Sequence, residues 1–431
     1  MAASDPGVRG GAAGAGGPIA GLTANQLAFF NQGLTDFAEE EGVGDGLGPR
    51  FNLDSCGGCH AQPATGGTSP ATNPQVAIAT ALGAKNTVPS FITSTGPVRE
   101  ARFIKNANGS ADGGVHALFV ISGRVDDTGS AANCNIAQEN FAAQVSNNNV
   151  IFRIPTPIFG MGLVESITDA ALVANAQANG SAKANLGISP KFNHNGNDGT
   201  IARFGWKAQN KSGLLFAGEA YNVEMGITNE LFTQERDETA SCQFATVPND
   251  IQDTDATTAL AATNAIQNFA NFQRFSAPPT PVTSYTSSVV GTVSSTSINA
   301  GKTVFNNIGC GLCHTPSLTT SSSTTVAALR SKTVNAFSDF AIHDMGPGLA
   351  DEVVQGQAEA DEFRTAPLWG LGQRIFFLHD GRTKNLITAI LEHKSAANFV
   401  HESSEANDVV NNFIGLSNTD QQNLLNFLRS L

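Results

Sequence analysis

Two pairs of cysteines, each closed by a histidine, are the residues best suited to chemistry: Cys56-Gly57-Gly58-Cys59-His60 and Cys310-Gly311-Leu312-Cys313-His314. In a Cys-x-x-Cys-His run the two thiols are spaced to bond the vinyl positions along one haem edge, and the adjoining histidine comes under the iron. A zinc site would need four ligands converging from both copies, and a thioredoxin-like redox pair has no use for the histidine. The spacing therefore predicts two covalently bound c-type haems, one on Cys56 and Cys59 and one on Cys310 and Cys313, with His60 and His314 as proximal iron ligands. Such attachment takes place outside the cytoplasm, so a periplasmic or otherwise exported protein is expected. The chain opens Met1-Ala2-Ala3-Ser4-Asp5-Pro6 without an apolar signal core and reads as a mature form. In that compartment Cys134 and Cys242 are free to oxidise to a disulfide, closing a loop of about 110 residues. Two buried thiols are the alternative.

The surrounding chain must supply helices to position these motifs. Leu27, Phe30, Leu34 and Phe37 recur at helical spacing between Thr23 and about Glu41, ahead of the first motif. Ser297 can cap a helix through Val304 and Phe305 that runs into the second. Thr419 and Gln422 read as a capping box for a last helix whose one face is Leu424, Phe427, Leu428 and Leu431. Between the motifs, Ala277-Pro278-Pro279-Thr280-Pro281 and the Ser/Thr-rich stretch to Ser297 read as a linker. An internal repeat spans it: the segment from Phe152-Arg153 to Gly160-Met161-Gly162 aligns with that from Phe363-Arg364 to Gly370-Leu371-Gly372. The copies differ in length, with 92 residues between His60 and Arg153 against 49 between His314 and Arg364. The expected fold is mainly α-helical, with two duplicated cytochrome c-like haem domains at 1–277 and 298–431 and a linker at 278–297. The first domain carries a long insertion, about 61–152, in which alternation near 115–121 predicts some β-structure.

Composition limits the partners. The 431 residues are 41% hydrophobic and 14% charged and contain no apolar run long enough for a transmembrane helix. With 24 Lys and Arg against 37 Asp and Glu, the net charge of −13 opposes nucleic acid and would attract a basic redox partner.

The sequence resembles the di-haem cytochrome c peroxidase superfamily and, within it, the di-haem oxidoreductases, a thiol oxidoreductase-like group. The segments that carry the resemblance are Gly46-Leu47-Gly48-Pro49-Arg50-Phe51, Phe204-Gly205-Trp206-Lys207-Ala208 and Asn222-Val223-Glu224-Met225-Gly226. They continue with His343-Asp344-Met345-Gly346-Pro347, Phe363 to Gly370, and Phe377-Leu378-His379-Asp380-Gly381-Arg382. The resemblance implies an acid/base role for Glu224 over an open face of the first haem, and an electron-relay role for Trp206, eighteen residues earlier. Without it, Glu224 reads as a solvated carboxylate and Trp206 as core packing. It further implies a sixth ligand for the second haem after the His-Asp-Gly segment. His393 stands there, with Met345 as the alternative. His343 and His379 read as hydrogen-bonding residues, and His116 as structural. Relatives bind calcium at a Thr-Ala-Pro segment that here reads Arg374-Ile375-Phe376, which puts calcium in doubt.

The expected activity is peroxidase-type oxidoreduction, with a reactive first haem, an electron-transferring second haem, a small oxidant such as hydrogen peroxide, and a redox protein as electron donor. The alternatives are a non-enzymatic two-haem carrier and an enzyme that oxidises a protein or organic substrate with peroxide or dioxygen.

Overall fold

The computed structural model describes residues 2–431 and divides into two compact units, each assembled from separated stretches of chain. Leu22–Ile158 with Gly213–Ser276 form the first; Met1–Gly21, Phe159–Ser212 and Ala277–Leu431 form the second. One crossing between units falls at 276/277, and 159–212 belongs with the C-terminal stretch rather than with its sequence neighbours.

In the first unit, α1 (Ala24–Ala38) starts at a capping box in which Thr23 and Gln26 satisfy each other's backbone N–H groups. Its Phe30, Gly33 and Phe37 face inward. The helix α2 (Gly213–Met225) and the helix α3 (Ala265–Phe275), capped by Asn264, complete the helical layer. Phe37 packs on Phe269 and Phe272 at 6.0 and 5.0 Å between ring centres, and Tyr221 of α2 meets Phe269 at 5.0 Å. Gly33 lies directly against the carbonyl of Asn268, where any Cβ would collide.

The strands of this unit are short. β1 (Arg50–Phe51) pairs with β4 (Phe119–Val120). The central strand β2 (Glu100–Phe103) is flanked antiparallel by β3 (Val115–His116) and β5 (Val150–Arg153). Of these, β3 and β4 fall in the 115–121 stretch where alternation predicts β-structure, β2 and most of β5 lie elsewhere in the insertion, and β1 precedes it. A disulfide joins Cys134 to Cys242 across 108 positions.

In the second unit, α4 (Ser295–Asn307) is capped by Ser294, three residues before the expected Ser297, whose own N–H donates to the Ser294 hydroxyl. A short helix α5 (Leu386–Leu391) precedes α6 (Asn418–Leu428), which is capped by Ser417 rather than Thr419. Phe305 of α4 packs on Phe427 of α6 at 5.5 Å, and Gly301 lies against the Asn423 carbonyl as Gly33 does against Asn268. Small antiparallel pairs complete the unit: β6 (Tyr285–Ser287) with β7 (Gly291–Val293), β8 (Leu318–Thr319) with β9 (Thr333–Val334), and β10 (Ile342–Asp344) with β11 (Glu362–Arg364).

The segment read as a linker is therefore folded. Its β6–β7 hairpin is bound to the N-terminal stretch by the Ser287 hydroxyl, which donates to the Pro6 carbonyl at 2.6 Å, and Thr280 N–H donates to Gly14 O. Prolines fix φ, Thr280 and Val282 donate to backbone carbonyls of Gly14 and Ser430, and Val289 and Val290 N–H donate to the Ser287 hydroxyl, so low complexity does not make this stretch loose. The fold as a whole is mixed, with helices around the haem motifs and strands confined to small sheets.

Candidate haem sites

Each Cys-x-x-Cys-His run forms a tight helical turn, Cys56–Cys59 in the first unit and Cys310–Leu312 in the second. Both histidines place Nδ1 on a backbone carbonyl, and His60 also lies within reach of Thr156 O. His60 Nδ1 donates to the Gly67 carbonyl at 2.9 Å and His314 Nδ1 to the Phe337 carbonyl at 3.1 Å. A carbonyl can only accept, so Nδ1 carries the proton and Nε2 keeps its lone pair, the arrangement a metal-ligating imidazole requires. Burial depresses His60, and burial with neighbouring His393 takes His314 to about 4, so both rings are neutral. The four motif cysteines form no disulfide, and burial pushes the Cys56 and Cys310 thiols up to about 12. As free thiols they make poor thiolate ligands; as thioethers they would carry no charge to bury.

In the second unit a largely apolar cavity of about 220 Å³ opens beside Cys310 and Cys313 and is lined by His314, His393, Met345, Trp206, Arg364 and Arg374, among others. His393 Nδ1 donates to Ala389 O at 2.7 Å, which leaves Nε2 free as in His314. Met345 shares the cavity. Trp206 meets His379 edge-on at 6.4 Å, and its backbone carbonyl accepts from Arg364 N–H at 2.8 Å. His343 is occupied on both ring nitrogens, facing Asp339 at 3.0 Å and Glu405 at 2.7 Å, which fits a hydrogen-bonding residue.

The donor set suits haem. Arg364 and Arg374 bring two guanidinium groups to the cavity wall, where burial pulls both down to about 10, and among the described residues neither has a carboxylate partner in an ion pair. Two buried cations in an apolar chamber call for anions, and haem has two carboxylates.

In the first unit Glu224 lies at the end of α2, and each residue of Glu224-Met225-Gly226 has a visible task. Met225 Sδ approaches Cys56 Sγ to 3.7 Å. Gly226 adopts φ +77°, where a Cβ would lie 2.6 Å from Arg50 O, so only glycine turns the helix end onto β1. Glu224 O accepts from Asn52 N at 2.6 Å, and Glu224 Oε2 accepts from Asn52 Nδ2 at 2.7 Å. The Asn52 amide cannot flip, because its Oδ1 is taken by Leu118 N–H at 2.7 Å.

Burial, the charge of Glu100 and a carboxyl–carboxyl hydrogen bond with Glu100 raise Glu224 well above the usual carboxylate range. Glu224 is close enough to Cys56 and Cys59 for its charge to act on both thiols. Glu100 itself is held below its ordinary value in spite of burial, by Arg102, the hydrogen bond from Glu224, and Arg153. The sequence reading missed Glu100, Arg102 and Arg153. The available signal was a charged pair two apart, Glu100-Ala101-Arg102, within the insertion expected to contain some β-structure. His116 stacks on Phe103 at 3.6 Å and bonds Asp112 at 3.0 Å, a structural setting.

Glu224 thus belongs with Cys56, Cys59 and His60, while Trp206 belongs with His314, His393 and Met345. Paired histidine-bearing motifs over buried, ligand-ready imidazoles define a haem-dependent redox protein. The chain belongs to the di-haem oxidoreductase family, described as "Di-haem oxidoreductase, putative peroxidase", whose model matches residues 101–431. The first Cys-x-x-Cys-His precedes the matched stretch. No curated protein matches the chain. Among solved structures, a hydrazine synthase of Kuenenia stuttgartiensis is similar at 13% identity and a TM-score of 0.23, over 40% of this chain and 56% of that one. Among the described residues no helix is long and apolar enough to cross a membrane.

Proposed function

We propose that this oxidoreductase is an exported di-haem c-type enzyme of peroxidase type, with a reactive centre at His60 and an electron-transferring centre at His314. The observation that carries the reading is Glu224: a buried carboxyl, pushed well above the usual carboxylate range by burial and Glu100, beside the first Cys-x-x-Cys-His and anchored by an amide that cannot turn. The matching crossings, α1 on α3 and α4 on α6, each with a glycine seated on an asparagine carbonyl, support a duplicated cytochrome c-like pair.

Covalently attached haem would supply iron that exchanges single electrons and, where the chain leaves a face open, takes a small oxidant such as hydrogen peroxide. The chain's own residues do the rest. His60 and His314 would hold the irons through Nε2, and His393, with Nε2 free in the second cavity, would be the second ligand that keeps exogenous ligands from that centre. Glu224 holds a proton for the leaving oxygen of the oxidant, so that water rather than hydroxide departs. Trp206, in the wall of the second cavity, relays electrons. The net charge of −13 favours a basic redox protein as donor.

Glu224→Gln tests this reading. The variant keeps size and the Asn52 contact but has no transferable proton. Haem content and electron uptake should persist, while peroxide-driven oxidation falls by roughly 10²–10⁴-fold. Full peroxide reactivity in the variant would overturn the role, and wild-type protein with no peroxide reactivity and two low-spin irons by electron paramagnetic resonance would make the chain a carrier.

A further inference from the structure

The group that faces Glu224 is itself unusual. Glu100 begins β2, directly opposite Arg153 of β5 in the sheet register, with Arg102 two residues on. Side chains two apart on a strand, and those directly opposite across a pair, share a face of the sheet. One face therefore presents a carboxylate between two guanidinium groups. Arg102 Nε donates to Glu100 Oε1 at 2.6 Å, and Arg102 Nη1 is fixed on the Gly113 carbonyl at 2.8 Å. On its other side Glu100 hydrogen-bonds the carboxyl of Glu224.

A hydrogen bond between two carboxyls needs one proton, and the carboxyl with fewer cations keeps it. Arg102 hydrogen-bonds Glu100 and Arg153 faces it across the sheet, whereas Arg102 reaches Glu224 through its charge without a hydrogen bond. Glu224 has the neutral amide of Asn52, which donates to Oε2 and leaves the other oxygen to bear the proton. The remaining charged or titratable groups around the pair are Arg236, which donates to Val115 O, Glu219, and the thiols of Cys56 and Cys59. The thiols become neutral thioethers once haem is attached.

We propose that Glu100 is a positioning residue that keeps Glu224 loaded with its proton, the two forming a one-proton carboxyl pair beside the first haem motif. This rests on the acid role of Glu224. It assigns to the β-insertion a part in the chemistry: the strand supplies the fixed negative charge that sets when the acid is loaded. Removing that charge takes away the carboxylate that competes with Glu224 for Arg102 and Arg153, and the Glu224 carboxyl then ionises at lower pH.

Infrared difference spectra of the haem-loaded protein read the proton without reference to turnover. At neutral pH, wild type minus Glu224→Gln should contain a protonated-carboxyl C=O band that shifts in D₂O. Glu100→Gln should lose that band, and Glu100→Asp, which restores the charge, should regain it. The alkaline limb of peroxide oxidation should move to lower pH in Glu100→Gln, because the protonated fraction falls sooner. Persistence of the band in Glu100→Gln, or its absence from wild type, would overturn the proposal. Should Glu100→Gln fail to fold, a wild-type titration decides: the band must survive well above the ordinary carboxylate range and disappear with one proton. A wild type that shows the band but no peroxide reactivity would sink the peroxidase reading and leave the pair standing.

Discussion

At the scale of single residues, the second haem site turns on which side chain closes it. His393 has Nδ1 engaged by the Ala389 carbonyl at 2.7 Å, so its free nitrogen is Nε2, and its ring is close enough to His314 for its charge to disfavour protonation there. Two imidazoles make a lower-potential iron than an imidazole with a thioether. His393→Met should therefore raise the reduction potential of this centre and introduce a methionine-to-iron charge-transfer band that wild type lacks. Redox titration and the far-red absorption spectrum check both. If wild type already shows that band, Met345, which shares the cavity, is the ligand.

At the scale of elements, the same device appears twice. Gly33 and Phe37 of α1 meet Asn268 and Phe272 of α3; Gly301 and Phe305 of α4 meet Asn423 and Phe427 of α6. In each pair the glycine lets two backbones touch, and the phenylalanine four residues on fills the next turn. Gly301→Ala would push a methyl into the Asn423 carbonyl and part the helices. The expected loss is about 1–3 kcal/mol, a fall of several degrees in melting temperature, with Gly33→Ala equivalent in its own unit. Alanine is the better helix former, so unchanged or higher stability would mean that the crossing is not tight.

These crossings also mark how far the sequence could be read. Apolar spacing identified α1, α4 and α6, because a helix that must bury Phe30 and Phe37, or Phe305, shows its period directly. Their starts were less legible: with serines at 294, 295 and 297, and with Ser417 ahead of Thr419, several hydroxyls could cap, and tertiary packing chose the earlier one. The haem motifs and Glu224-Met225-Gly226 were legible because their chemistry sits in contiguous residues. Glu100 was not. Its meaning comes from Glu224, 124 positions away in sequence, and from Arg153 across the sheet.

At the scale of the whole molecule, the two units are secured by different long-range ties. In the second, Asp5 takes a two-pronged ion pair from Arg429, with Nε and Nη2 each at 2.8 Å, and also accepts from Leu386 N–H at 2.7 Å. Although burial opposes ionisation, Arg429 and the backbone donors hold Asp5 below its ordinary value. A carboxyl depressed in the folded state contributes stability that is present above its unfolded pKa, about 3.9, and is lost as pH falls through the folded one. In the first unit, the Cys134–Cys242 disulfide closes a loop spanning 108 positions. Loop closure on that scale stabilises by about 4–5 kcal/mol in the chain-entropy model. Asp5→Asn leaves Arg429 buried and unpaired, at a cost of about 3–5 kcal/mol. The two lesions should therefore be separable in one molecule. Melting followed at the absorption bands of each haem should show the His314 centre failing first in Asp5→Asn and the His60 centre failing first in the Cys134→Ala/Cys242→Ala pair. Acidification below the unfolded value of about 3.9 should begin to narrow the difference between Asp5→Asn and wild type, closing it only once the pH falls below the depressed folded value, while the effect of the cysteine pair stays. If either lesion lowers both transitions equally, the units melt as one body, and the division into two compact regions describes packing without describing stability.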